Sequence, residues 1–295
     1  MASTYWQGAV EGRLASDLRG IGVVWYRDVL RFWRDKTRIL TSLVQPLLFL
    51  FIFGGGLSPI MSGVGSGPSL MPGAGGFDYV KFMFPGIISM AVLMSSLMSG
   101  ISIVWDREFG FLKEVLVAPV SRTAVTIGKA LGGSTIGMVQ GTIMLIFAPL
   151  AGIGLSVPLM LKLWPLMFLG AFALTSMGIL IAGRMKSMEG FQMVINFLMM
   201  PMLFLSGALF PVQGLPSWMD VLVKINPLTY AVDAIRQVVF ESVTLPAAVM
   251  AVMDRIGIRV VLFGHTVTVL EDIAIVGVFA AVMVVLAVRA LSAQD

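Results

Sequence analysis

The chain has 295 residues, 58% hydrophobic and only 12% charged, with a net charge of +4 and no cysteine. Soluble domains carry about twice that charged fraction, so the bilayer is the solvent for most of this polypeptide. Disulfides and thiolate metal sites are excluded. The basic balance needs no nucleic-acid partner, because the positive side of a membrane protein accounts for it.

Residues 1–20 are polar and of mixed charge, without a basic start and short apolar core, so they predict a cytoplasmic tail rather than a cleaved signal peptide. From 21 to 38 the pattern predicts an amphipathic helix. Arg27, Arg31, Arg34 and Arg38 recur at spacings of 4, 3 and 4 and share one face, while Trp25, Val29, Phe32 and Trp33 share another. Such a helix suits the headgroup layer, with its aromatic residues down and its arginines toward anionic lipid. A solvated helix that merely satisfies the positive-inside rule is the plainer alternative.

Six apolar stretches follow over 39–291: Leu40–Leu57, Phe82–Trp105, Ala130–Ala151, Leu163–Gly183, Phe191–Pro211 and Ile273–Val288. Each approaches the ~20 residues that a helix needs to cross ~30 Å of hydrocarbon. The fold class expected is therefore an all-α, multi-pass membrane protein with six transmembrane helices. Ser58–Gly76, dense in Gly, Pro and Ser, predicts an external loop, and Gly152–Pro158 a tight external turn. Within the third stretch Gly133, Gly137 and Gly141 form a stripe at spacing four. It admits a close helix neighbour, in the same subunit or in a second copy.

The segment 212–242 reads as two short external helices, Pro216–Val223 and Leu228–Phe240, parted by Asn226-Pro227. Neither is long enough to cross, which fits re-entrant or interfacial helices before the last span. Residues 258–270, rich in Val and Thr and interrupted at Gly264-His265, suggest a β-hairpin. Lys and Arg set the orientation. They crowd 1–38, the loop after the second stretch (Arg107, Lys113, Arg122, Lys129), the loop after the fourth (Arg184, Lys186) and the tail (Arg289). Both termini are therefore expected in the cytoplasm.

Recognisable catalytic motifs are absent, and no phosphate-binding loop is found. His265, the single histidine, sits in an expected external turn as a surface residue, and no metal site is expected. The spans hold no ionisable group near their middles, which weighs against a passive channel or an ion-coupled carrier. Gln45, Gln140, Gln192 and Asn196 are the main strong polar groups there, better suited to bonds between helices. Such a transporter has to import its driving force.

The loop after the second stretch shows where that force would enter. A short helix over about 106–118 presents Phe109, Leu112 and Leu116 along one side, edged by Arg107, Glu108, Lys113 and Glu114, with Gly110 between them and Pro119 ending it. An apolar ridge with a charged rim suits docking into a groove on a soluble protein. An interfacial connector helix has the same pattern.

The stretch Asp106–Arg122 followed by Gly128-Lys129 resembles the intracellular coupling helix of ABC-2 type (type V) ABC exporters, close to the daunorubicin-resistance permeases. The later run Phe204-Leu205-Ser206-Gly207-Ala208-Leu209-Phe210-Pro211, then Asn226-Pro227-Leu228-Thr229-Tyr230-Ala231-Val232-Asp233-Ala234-Ile235-Arg236, resembles the family's span-five exit and external helices. The resemblance implies a type V fold in a bacterial plasma (inner) membrane, paired with a second permease copy. It also implies two copies of a separate ATPase subunit, which hold the ATP and magnesium while this chain binds no cofactor. It further implies a central path, mapped here onto Gln45, Phe49, Met90, Met94, Phe197, Met200 and Phe204, suited to a hydrophobic drug or a lipid. A lipid-linked saccharide or glycolipid is the alternative cargo, and a non-transporting scaffold that anchors an ATPase the alternative role.

Overall fold

The computed structural model describes residues 2–61, 79–108, 121–209, 212, 215–242, 259–262 and 265–292. Helix α1 runs over Ala2–Arg34, α2 over Lys36–Met61, α3 over Tyr79–Ser99 and α4 over Ile101–Glu108. Then come α5 (Arg122–Leu145), a 3-10 turn (Ala148–Ala151), α6 (Val157–Arg184) and α7 (Met188–Phe204). The short helices α8 (Ser217–Ile225) and α9 (Pro227–Glu241) precede strands β1 (Val261–Leu262) and β2 (His265–Thr266), and α10 (Val269–Ser292) closes the chain.

Four helical stretches among the described residues have the length and apolarity to cross a bilayer: Lys36–Phe53, Val80–Glu108, Val157–Arg184 and Val269–Ser292. α7 is apolar but shorter, and α5 is long but carries Arg122, Lys129 and many Gly, Ser and Thr residues. α3 and α6 form the buried centre. α5 and α9 pack on them, α10 lies along α6, and α2 leans on α3 with Leu40, Val44, Leu48, Phe51 and Ile52 exposed.

Small residues allow this centre to close. The glycine stripe of α5 faces α3 and α6 of the same chain. A Cβ on Gly137 would meet Ala171 at 2.9 Å, and one on Gly141 would meet Met167 at 2.6 Å and Val92 at 2.9 Å. Buried hydroxyls of Ser89, Ser95, Ser134 and Ser176 bond back to the carbonyl four residues earlier, which satisfies them inside apolar packing.

Three expectations shift. Residues from Ala2 onward belong to a single helix that ends at Arg34, so the 1–20 tail and the 21–38 helix are not separate; Asp35 breaks the chain, and Arg38 belongs to α2. The second apolar stretch is two helices, parted at Gly100, where the backbone lies against Gly178; a Cβ there would fall 2.5 Å from the Gly178 carbonyl oxygen. The third stretch starts earlier and ends earlier, since Ser121 caps α5 by accepting the Ala124 N–H at 3.1 Å.

Candidate functional site

The expected coupling residues divide. Phe109, Gly110, Leu112, Lys113, Glu114, Leu116 and Pro119 lie outside the described residues, whereas both chain ends that flank them are in place. The last turn of α4 carries Asp106, Arg107 and Glu108; the first turns of α5 carry Ser121, Arg122 and Lys129.

Asp106 and Lys129 join these two ends. Both are buried, at 7% and 4% exposed, and the Lys129 Nζ lies 2.9 Å from Asp106 Oδ2. Lys129 also donates to Ser102 Oγ at 2.9 Å, and Arg27 of α1 approaches the same carboxylate oxygen at 3.5 Å. Charges taken from water persist only when paired and hydrogen-bonded in this way. α1 is seated beside them, with Ile21 and Val24 against Gly128 and Asp28 against Gly132.

Other polar groups extend the joint. Asp17 Oδ1 accepts the Ser121 N–H at 2.9 Å. Arg107 donates to the Met185 carbonyl at 2.6 Å and the Gly183 carbonyl at 3.4 Å, at the C-terminus of α6. Arg122 donates to the Leu291 and Ser292 carbonyls, both at 3.1 Å, at the C-terminus of α10. Guanidinium groups satisfy terminal carbonyls and complement the negative helix end. Arg107, expected as part of a docking rim, therefore caps a neighbouring helix; Glu108 is exposed.

The residues expected to face lipid also divide. Trp25 donates its indole N–H to Thr135 Oγ1 of α5 at 3.0 Å, and Phe32 is buried, so the aromatic side of α1 turns partly onto protein. Arg27 joins the ion cluster and Arg31 lies over the Trp105 ring, 5.6 Å from its centroid. Trp33 and Arg34 are exposed.

The expected path residues do not converge in this single copy. Met90 is fully buried in the core and Met94 half-buried. Gln45 is half-buried, and Phe49 stacks on Phe53 at 5.1 Å. Phe197 is 79% exposed, and with Met193, Met200 and Phe204 it forms an open apolar face of α7 at spacings of 4, 3 and 4. The buried side of that helix is only Phe191, Ile195, Met202 and Leu203. Gln140 bonds to Ser42 and so ties α5 to α2.

The segment before the last helix is built around α9. Asn226 accepts the Leu228 N–H at 3.1 Å, capping α9, and donates to the Met202 carbonyl at 2.8 Å. Thr229 reaches the Leu205 carbonyl, and Arg236 donates to the Gly207 carbonyl while lying 4.4 Å over the Phe82 ring. Gly207 has φ 73°, a left-handed turn that suits glycine. The motif residues thus hold the turn that ends α7. Beside them Gln237 donates to Asp233 at 3.0 Å and Asp272 at 3.1 Å, and Arg259 donates to Gln237 Oε1 at 2.8 Å. Burial pushes the Asp233 carboxyl above the usual carboxylate range, against the opposing pull of Arg236, the Val260 N–H and Gln237.

The buried pair Asp106–Lys129, the two capping arginines and the Gln237 bridge escaped sequence reasoning; their partners stand far apart in the chain. Among the described residues no cluster of acidic, histidine or cysteine side chains is arranged to hold a metal.

Comparison with known proteins fits this layout. The family model described as ABC-2 type transporter matches residues 19–240. A protein of Cyanophora paradoxa named as a transport permease, ycf38, is 30% identical over 71% of this chain and 70% of its own length. Nodulation protein J of Rhizobium meliloti (strain 1021) is 28% identical over 74% of this chain and 80% of its own. A multidrug ABC transporter permease by name, YbhR of Escherichia coli (strain K12), is 28% identical over 57% of this chain, which spans 46% of that protein.

Proposed function

We propose, because this chain belongs to the ABC-2 type transporter family, that it is the membrane-spanning permease subunit of an ATP-driven exporter. In this reading it carries no ATPase site. A separate subunit, present twice, holds ATP and magnesium and pushes on residues 109–120 of each of two permease copies. The chain lies in a bacterial inner membrane with six crossings and both termini in the cytoplasm. Its cargo is a hydrophobic or amphipathic compound, drug-like or lipid, leaving the cytoplasm or inner leaflet.

One observation carries the reading. The two chain ends that flank 109–120 are fastened to each other through Asp106–Lys129, and to α1, α6 and α10 through Arg27, Arg107 and Arg122. A push on that segment therefore moves helices instead of dissipating in a loop. The open face of α7, with Phe197, Met200 and Phe204, supports an apolar path completed by a second copy.

The test is reconstitution with the cognate ATPase. Glu108→Lys combined with Glu114→Lys should weaken complex formation and abolish cargo-stimulated ATP turnover, whereas Lys186→Gln should not. Assembly and transport unchanged by the double substitution would overturn the coupling role. Complex formation without cargo-stimulated turnover would favour a scaffold.

A further inference from the structure

A cleft of about 240 Å³ opens where α1 hands over to α2, lined among others by Asp28, Arg31, Phe32, Asp35, Arg38 and Trp105. Its charges are unusual in their pairing. Among the described residues, neither Arg31 nor Arg38 lies within 4.0 Å of a carboxylate oxygen; the ion pairs of this region belong to Arg27 and Lys129. Arg31 is spread over the Trp105 ring instead. Asp28 Oδ1 accepts from the Arg27 guanidinium at 3.4 Å, and Asp35 Oδ1 accepts the Arg38 backbone N–H at 3.0 Å, so each keeps its second oxygen for another donor.

Two guanidinium groups without ion pairs are a ready receptor for a phosphate, which they grip through parallel N–H donors. Two half-used carboxylates beside them would repel a second negative charge and attract an ammonium. Phe32 and Trp105 supply an apolar wall, and the cleft sits at the level where the apolar run of α2 begins. We propose that it binds the headgroup of an inner-leaflet zwitterionic phospholipid with a primary ammonium, its phosphate on Arg31 and Arg38 and its ammonium toward Asp28 and Asp35. A lipid that carries only the phosphate charge leaves the carboxylates unanswered, and a free phosphate makes no use of the aromatic wall. The assignment rests on α1 lying at the inner membrane surface and not on export.

Native mass spectrometry of the full chain, released from nanodiscs holding equal phosphatidylethanolamine and phosphatidylglycerol, tests it. The expected result is one phosphatidylethanolamine retained per chain in preference to phosphatidylglycerol, undisturbed by excess inorganic phosphate. R31Q/R38Q should reduce retention about tenfold, a difference of about 1.4 kcal/mol, while R184Q leaves it intact. D28N/D35N should shift the preference toward phosphatidylglycerol, a change that simple loss of structure would not produce. Equal retention of the two lipids, displacement by inorganic phosphate, or an unaltered preference in D28N/D35N would each overturn the proposal. Should R31Q/R38Q fail to fold, D28N/D35N decides alone. A chain that retains this lipid yet stimulates no ATPase keeps the cleft and loses the export reading.

Discussion

Lys129 is a lysine at 4% exposure whose ammonium meets one carboxylate and one hydroxyl. Removing it leaves the buried Asp106 carboxylate with only the partly exposed Arg27, 3.5 Å away, so Lys129→Met should cost about 3 kcal/mol. Asp106→Leu with Lys129→Met should cost less than the single change, because no orphan charge remains. Thermal unfolding of the solubilised protein, with Lys129→Met, Asp106→Leu and the double variant measured together, checks both the magnitude and the coupling. In α9, Asp233 predicts a pH effect. Its carboxyl titrates above its ordinary range, so the folded state binds a proton more readily than the unfolded chain. Stability contributed by that proton is complete below the ordinary carboxylate pKa and is lost as pH rises through the raised one. The unfolding temperature should accordingly fall as pH rises from the carboxylate range toward neutrality, and Asp233→Asn should flatten that slope.

Helices reveal how far local pattern reaches. The apolar stretches and a helix following Asn226-Pro227 were legible, because composition and proline chemistry act within a few residues. The break at Gly100 was not, since it is imposed by the Gly178 backbone of another helix. Nor did periodicity tell that Phe32 and Met90 are buried while Phe197 is open; an apolar side chain looks the same whether it meets protein or lipid. The α1 boundary was missed for a related reason. Polar residues 1–20 lack an apolar stripe, yet Asp17 fastens that helix to Ser121. The glycine stripe is the element whose partner the structure supplies. Gly137→Leu should drive a side chain into Ala171 and Ser96, destabilising the fold by about 1–3 kcal/mol or more. Reduced yield of monodisperse protein and a lowered unfolding temperature would report it; an unaltered protein would show that α5 can slide away from α6.

Across the whole molecule, the open face of α7 is the surface that the proposed pairing of two copies would cover. The chain has no cysteine, so a single introduced thiol reports on one position without background. Phe197→Cys should form a disulfide-linked dimer in native membranes under mild oxidation. Val278→Cys, also exposed but on α10, should not. The reverse result would move the contact between copies to α10 and remove α7 from the path. Met90 argues in the same direction. Sealed in one copy, it reaches a path only if α3 rotates, so Met90→Ala should depress folding more than cargo selection, whereas Phe197→Ala should do the opposite.

α10 has one further property. Its first turn holds Asp272, bridged by Gln237 to α9, and its final carbonyls are held by Arg122, next to the segment that meets the ATPase in our reading. A helix of 24 residues is a rod of about 36 Å, with few side chains buried along its length and a polar latch at either tip. Such a strut carries displacement from end to end without reshaping the core, so the latch at Asp272 and the one at Arg122 ought to open in step.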